Sequence, residues 1–202
     1  MFLKEEDGIR VPFWSSELGD VDKRQHFNTY LSFRCAEPVT MNDLAISLPR
    51  RILAGAQYAL FRKGPLTSKA ISAGAFIRSD PLLERPDLQI NMFGWSAESR
   101  TSERINPHPF SAFSLSPVHL RPDCEGSIRI KSPDPLAPPA IRYEFLRSAY
   151  DKQAILYGMR VCRQIAHQPA LSRYMAEEVL PGPSVGSDED LLADVRARGV
   201  AN

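Results

Sequence analysis

Residues 87–95 read Asp87-Leu88-Gln89-Ile90-Asn91-Met92-Phe93-Gly94-Trp95, and the alternation within them decides the fold. In an extended chain successive side chains point to opposite faces. Leu88, Ile90 and Met92 then fall on one side, suited to a core, while Gln89, Asn91 and Phe93 put amides and an aromatic ring together on the other. The same two-residue period recurs at 27–35, where Phe27, Thr29, Leu31, Phe33 and Cys35 alternate with Asn28, Tyr30, Ser32 and Arg34 and predict a half-buried strand. Further strands are predicted at Ile9-Arg10-Val11, 73–79, 111–121 and 126–132. The last two are joined by Pro122-Asp123-Cys124-Glu125, which reads as a hairpin connection. Residues 133–140 hold four prolines and are expected to form a rigid loop.

Helical spacing takes over elsewhere. Thr40-Met41-Asn42-Asp43 comes close to a capping box, ahead of Leu44, Leu48, Ile52, Leu53, Ala56 and Leu60. Pro49 would remove a hydrogen bond inside that run, so a break is expected near Ser47, with Pro49 opening a second helix and Gly64 closing it. Residues 150–167 place Ile155, Met159, Cys162 and Ile165 on one stripe. Ser187-Asp188-Glu189-Asp190 opens a last helix with Leu191, Leu192 and Val195 as its apolar side and Gly199 as its stop. Strands in one block and helices after them predict an α+β fold, an antiparallel β-sheet with helices packed on one face.

Composition narrows the function classes. Of 202 residues 43% are hydrophobic, enough for a substantial core. Basic residues number 25 and acidic residues 24, distributed along the length, so nucleic acid is not an expected partner. No apolar run approaches the ~20 residues that cross a bilayer, so no membrane span is expected. Met1-Phe2-Leu3 is followed at once by Lys4, Glu5, Glu6 and Asp7, unlike a signal peptide. Cys35, Cys124 and Cys162 lie far apart and read as reduced thiols of a cytoplasmic protein.

Several chemistries have no motif. No two glycines are separated by one residue, so the G-x-G of a dinucleotide cradle does not occur, and neither does a P-loop or G-x-S-x-G. Metal-ligand spacing is also missing, and no metal site is expected. Four histidines remain. His167 suits a helix C-terminus; His108, between Pro107 and Pro109, is expected in an exposed loop; His119 falls on the polar side of its strand; His26 precedes the first strong strand.

Read in order, several segments resemble the second half of the glucose–methanol–choline (GMC) oxidoreductases, nearest the choline dehydrogenase-like branch. These are Gly8-Ile9-Arg10-Val11, His26-Phe27-Asn28-Thr29-Tyr30, Thr40-Met41-Asn42-Asp43, Gly64-Pro65-Leu66-Thr67, Ala75-Phe76-Ile77-Arg78-Ser79 and Arg85-Pro86-Asp87-Leu88-Gln89. The most specific is Leu120-Arg121-Pro122 followed by Gly126-Ser127-Ile128-Arg129-Ile130-Lys131-Ser132-Pro133-Asp134-Pro135, similar to the family's R-P-x-S-x-G-x-V-x-L-x-S-x-D-P. A later helical region, Glu177-Glu178-Val179-Leu180-Pro181-Gly182-Pro183 with Ser187-Asp188-Glu189-Asp190-Leu191, keeps the family order. The family's G-x-N-L-x-D-H is shortened here to Val21-Asp22-Lys23-Arg24-Gln25-His26, without its glycine.

The resemblance implies a substrate-binding domain over residues 26–200, with the C-terminal signature region from about 111 and an irregular lead-in over 1–25. It also implies that the Rossmann-like FAD domain and the catalytic-histidine segment lie outside this sequence. No catalytic residue is expected in the chain itself, which on its own should bind no FAD and be inactive. The intact enzyme would oxidise a primary alcohol to an aldehyde with hydride transfer to flavin. Within it Gln89, Asn91, Phe93 and Trp95 would line the pocket for a small alcohol substrate, and His26 and Asn28 would lie near the flavin. The expected partner is the missing flavin-binding half. The alternative is a cofactor-free binding module that kept the fold and lost the chemistry.

Overall fold

The computed structural model describes residues 3–6, 9–12, 26–67, 71–100, 105–134 and 136–201. Within the expected lead-in, β1 (Leu3–Glu6) and β2 (Ile9–Pro12) pair antiparallel; the shortened 21–25 element lies outside the described residues. The body follows as β3 (Phe27–Asn28), β4 (Leu31–Cys35), α1 (Asn42–Ile46), α2 (Leu48–Phe61), β5 (Ile71–Ile77), β6 (Leu88–Phe93), β7 (Ala97–Arg100) and β8 (Ile105–Pro107). It continues with β9 (Ala112–His119), β10 (Ser127–Arg129), β11 (Ala140–Arg142), α3 (Ala149–Ala166), α4 (Pro169–Ser172), β12 (Met175–Leu180), α5 (Asp188–Arg198) and β13 (Val200–Ala201).

Seven of these strands form one antiparallel sheet with β9 at its centre. One edge of β9 carries β6 and then β5. The other carries β3 and β4 end to end, flanked in turn by β13 and β12. The interruption between β3 and β4 has a chemical cause. Both flanking registers with β9 are the same, Asn28 opposite Val118 and Leu31 opposite Leu115, which places Thr29 opposite Pro117. The Thr29 amide donates to the Pro117 carbonyl (3.3 Å), but proline has no N–H to return the bond. The neighbouring Ser116 hydroxyl replaces it, donating to the Thr29 carbonyl at 2.6 Å.

Helix α3 lies over β9, β6 and β4, and α5 packs beside it. This layer buries Phe27, Leu31, Phe33, Ile90, Phe113 and Leu115 of the sheet against Ile155, Met159 and Cys162 of α3 and Leu191 and Val195 of α5. The Phe33 and Phe113 rings stack with centroids 5.1 Å apart. Gly158 permits the close approach, since a β-carbon there would lie 2.7 Å from Pro117 Cβ. Arg163 fastens α3 to the opposite sheet edge, with bonds to both carboxylate oxygens of Glu178 (3.0 and 2.8 Å) and to the carbonyls of Gly182 and Val185. Helix α3 is capped by Ser148, whose Oγ accepts from the Asp151 amide, and α5, as the sequence predicts, by Ser187, whose Oγ accepts from that of Asp190.

The architecture is the expected antiparallel sheet with helices on one face, with local differences. The strand at 27–35 is buried on both faces apart from Arg34, not half-buried as its alternation suggests. Residues 126–132 do not pair with β9, whose edges are both occupied; β10 instead forms a hairpin with β11 around the proline-rich loop. Residues 175–180 are an edge strand, not helix. The break at Ser47 and Pro49 in the first turn of α2 are as expected, but the helix ends at left-handed Arg62 (φ 53°), before Gly64. Of the capping box only Asp43 plays its part, accepting from the Thr40 amide (2.7 Å), while the Thr40 hydroxyl accepts from Ala112 N.

Ser116→Ala is expected to lower stability by about 1–2 kcal/mol in urea unfolding, because it strips the only proline substitute from a buried carbonyl. A change within error would show that the Ser116–Thr29 bond does not brace the strand junction.

Candidate functional site

The sheet face turned away from α3 carries the residues singled out by the alternation at 87–95. Register places Gln89 beside Val118 and then Asn28, Asn91 beside Ser116, and Phe93 beside Ser114 and then Ser32. The Gln89 amide donates to Asn91 Oδ1 at 2.8 Å, and the Ser32 and Ser114 hydroxyls lie 3.1 Å apart. Gly74 on β5 leaves room beside Asn91, whose Oδ1 would stand 3.4 Å from a β-carbon there. Trp95 follows the end of β6, its ring meeting that of Phe93 edge-on at 6.0 Å. Asn28 and Asn91 are buried, Gln89, Phe93 and Trp95 half-buried, and His26 exposed one residue before β3.

The structure thus gathers Gln89, Asn91, Phe93 and Asn28 on one face, with Trp95 at its end and His26 at its border. Alternation at 112–119, Phe113 and Leu115 against Ser114 and Ser116, was the signal for the two serines that sequence reasoning left out. Chemically the face holds amides and hydroxyls that can donate to and accept from a bound hydroxyl. No group that titrates near neutral pH faces this way from β6 or β9; the histidine nearest this face is His26 at its border. A groove of about 510 Å³ opens at the same end of β6, lined by Thr40, Asp43, Arg50, Leu53, Ser72 and Gly94. None of the four residues expected in the pocket lines it.

His119 is a correction. It pairs with Leu88 and Phe27, which puts it on the helix-covered face, where it is buried. There it joins ionisable groups that the sequence did not link. His119 Nδ1 lies 3.8 Å from Asp151 Oδ1, and the His119 and Tyr150 rings meet edge-on. Asp151 accepts from the amides of Asp123 (2.8 Å) and Cys124 (3.3 Å). Asp87 accepts from the Ser79 amide and hydroxyl and from Tyr150 OH (2.9 Å). These bonds tie the turn after β9 and the β5–β6 connection to the start of α3. Burial pushes the His119 pKa down, against the opposing pull of Asp151, Asp87 and Asp123.

His108 is also buried, not in an exposed loop. Its Nδ1 lies 2.7 Å from Ser96 Oγ, closing the base of the β7–β8 hairpin, and the Asn42 amide donates to the carbonyls of both Ser96 and His108, bracing α1 against it. Burial lowers its pKa too. His167 closes α3 as expected, its Nδ1 2.8 Å from the Arg163 carbonyl. Among the described residues no group of His, Cys, Asp or Glu side chains could hold a metal ion.

Residues 122–202 match the GMC oxidoreductase family model for the C-terminal region. That stretch is similar to the C-terminal domain of GMC oxidoreductases. Over 98% of its length it is 31% identical to an oxygen-dependent choline dehydrogenase of Staphylococcus haemolyticus and 29% identical to those of Staphylococcus aureus. It spans about a third of these curated relatives, 34% of each. Its fold matches a formate oxidase of Aspergillus oryzae (TM-score 0.74, 17% identity, 89% of this chain and 36% of that one). It also matches an FAD-dependent oxidoreductase from Chaetomium thermophilum (TM-score 0.68, 16% identity, 88% and 36%). At such identities the shared feature is the fold.

Both buried histidines titrate below their ordinary value of 6.5, so the unfolded chain binds protons that the folded one refuses. Stability is therefore expected to be level above that pH and to fall as pH drops below it, with His119→Gln removing part of the slope. Melting temperatures measured between neutral and mildly acidic pH check this; an identical slope in the variant would rule His119 out as a contributor.

Proposed function

We propose that the chain is the substrate-binding part of a choline dehydrogenase-like, FAD-dependent alcohol dehydrogenase that oxidises a primary alcohol to an aldehyde. The similarity to choline dehydrogenases along 98% of the chain carries this reading. The far sheet face supports it. Gln89 and Asn91 would hold the hydroxyl, while Phe93 and Trp95 offer aromatic surfaces to a quaternary ammonium, worth roughly 0.5–2 kcal/mol per contact. His26 and Asn28, at the β3 end of that face, would lie nearest the flavin.

The dinucleotide itself does not fit this chain. A pyrophosphate needs close backbone approach at a helix N-terminus. Here α3 opens with Asp151, and α5 with Asp188, Glu189 and Asp190, carboxylates that repel it, while α2 opens on Pro49, which has no N–H to offer, with no G-x-G turn ahead of it. The flavin and its redox chemistry thus belong to a separate flavin-binding part, which is this chain's implied partner. The share of this chain is to bind the alcohol, orient it and keep water from it. A proton acceptor for the hydroxyl must likewise come from outside the far face.

Two measurements on the purified chain test the proposal. Adding FAD is expected to leave the visible flavin bands unshifted; tight stoichiometric uptake would overturn the division of labour. Choline added at millimolar concentration is expected to shift the Trp95 indole proton in NMR spectra. Phe93→Ala should weaken that binding roughly 2- to 30-fold, as loss of one cation–π contact requires. An unmoved indole proton would reject the ammonium pocket.

A further inference from the structure

Strand β5 ends the sheet: β6 takes one of its edges, and no strand among the described residues takes the other. No ionisable side chain occurs between Lys69 and Arg78, and every residue from Ile71 to Phe76 is exposed. Sheet edges are ordinarily guarded by charges, prolines, bulges or a cover. The one such device here, a bulge between Ile71 and Ala73, leaves 73–77 regular.

The ladder fixes which backbone groups of β5 are free. Pro117 accepts from the Thr29 amide, so it turns toward β3, while Ser116 and Val118 turn toward β6. Along β6, opposite them, Gln89 and Asn91 then turn toward β9, and Leu88, Ile90 and Met92 toward β5. Their partners on β5, Ile77, Ala75 and Ala73, spend their amides and carbonyls on β6. The Ile77 carbonyl agrees, accepting from the Asp87 amide on that side. Gly74 and Phe76 are left presenting N–H and C=O to the open edge.

We propose that β5 pairs antiparallel with β5 of a second copy of this chain, about a twofold axis through Ala75. In that register Gly74 of each copy lies opposite Phe76 of the other. Each of these two pairs exchanges two backbone bonds, about four in all. Phe76 is 64% exposed and Gly74 has no side chain to shield its backbone, so the ring of one covers the bare glycine of the other. On the opposite face Ala73 meets Ile77 of the second copy. That contact adjoins a hollow of about 160 Å³ lined by Ala73, Ala75, Ile90, Met92, Leu115 and Ile165. Any strand would satisfy the free amides and carbonyls. Only a copy of Gly74-Ala75-Phe76 itself, reversed, sets small against large at both positions, which is the self-complementarity of an isologous contact. Gly74 neighbours Asn91, so each copy lends an aromatic ring to the far face of the other.

Sedimentation velocity on the purified chain is expected to show monomer passing to dimer as concentration rises. Ala75 lies on the axis, so Ala75→Lys sets like charges against each other, as does Ala75→Glu. Each should raise the dimer dissociation constant at least ~10-fold. An equimolar mixture of the two variants should dimerise again, which misfolded chains would not. In the wild type, hydrogen exchange of the Gly74 and Phe76 amides should slow with concentration, while that of Ala75, already turned to β6, stays the same. A chain that remains monomeric, a dimer equally strong in both charge variants, or a mixture that fails to pair overturns the proposal. So does exchange at Gly74 and Phe76 that ignores concentration, since the edge is then left to a strand of another protein, such as the flavin-binding part.

Discussion

The saturation of β9 on both edges is the constraint on which the rest of this structure depends. Once β6 occupies one edge and β3 with β4 the other, no later strand can add to the centre of the sheet. Residues after His119 must leave it, and β10 and β11 pair with each other. The same strand fixes the faces. Phe113 and Leu115 commit one side to α3 and α5, and Ser114 and Ser116 commit the other to polar neighbours. Pro117 adds one missing donor, which Ser116 makes good.

Local patterns were legible where one residue type decides the outcome. The alternation at 87–95, the break forced by Pro49, and the cap at Ser187 all follow from chemistry within a few residues. Strand partnership did not, because nothing in 111–132 says that both edges of the first strand will already be taken. Nor did the placement of His119. Alternation with Phe113 and Leu115 already puts it on the helix side, but the groups that receive it there, Asp151 and Tyr150, come from a helix about thirty residues away. Met175–Leu180 was misread for a related reason. Two adjacent glutamates look like helix surface, yet at a sheet edge Glu178 turns inward to meet Arg163 while Glu177 meets Arg34.

The candidate site was legible as a face but not as a cavity. Register brings Gln89, Asn91, Phe93 and Asn28 together, as period-two reading of separate strands requires, whereas concave shape depends on how α1 and α2 sit beyond the end of β6. A face of amides, hydroxyls and aromatic rings, with the nearest buried histidine on the opposite side of the sheet, suits recognition more than proton transfer.

Strand β13 pairs with β3, so Ala201 lies opposite Phe27 although 174 residues separate them in sequence. The first and last strands described in this sheet therefore lie side by side. Its own last strand can form only after α5 has docked and brought Val200 home. The completed sheet thus reports on the whole of 27–201 at once, and a cut anywhere near either boundary would loosen the opposite one.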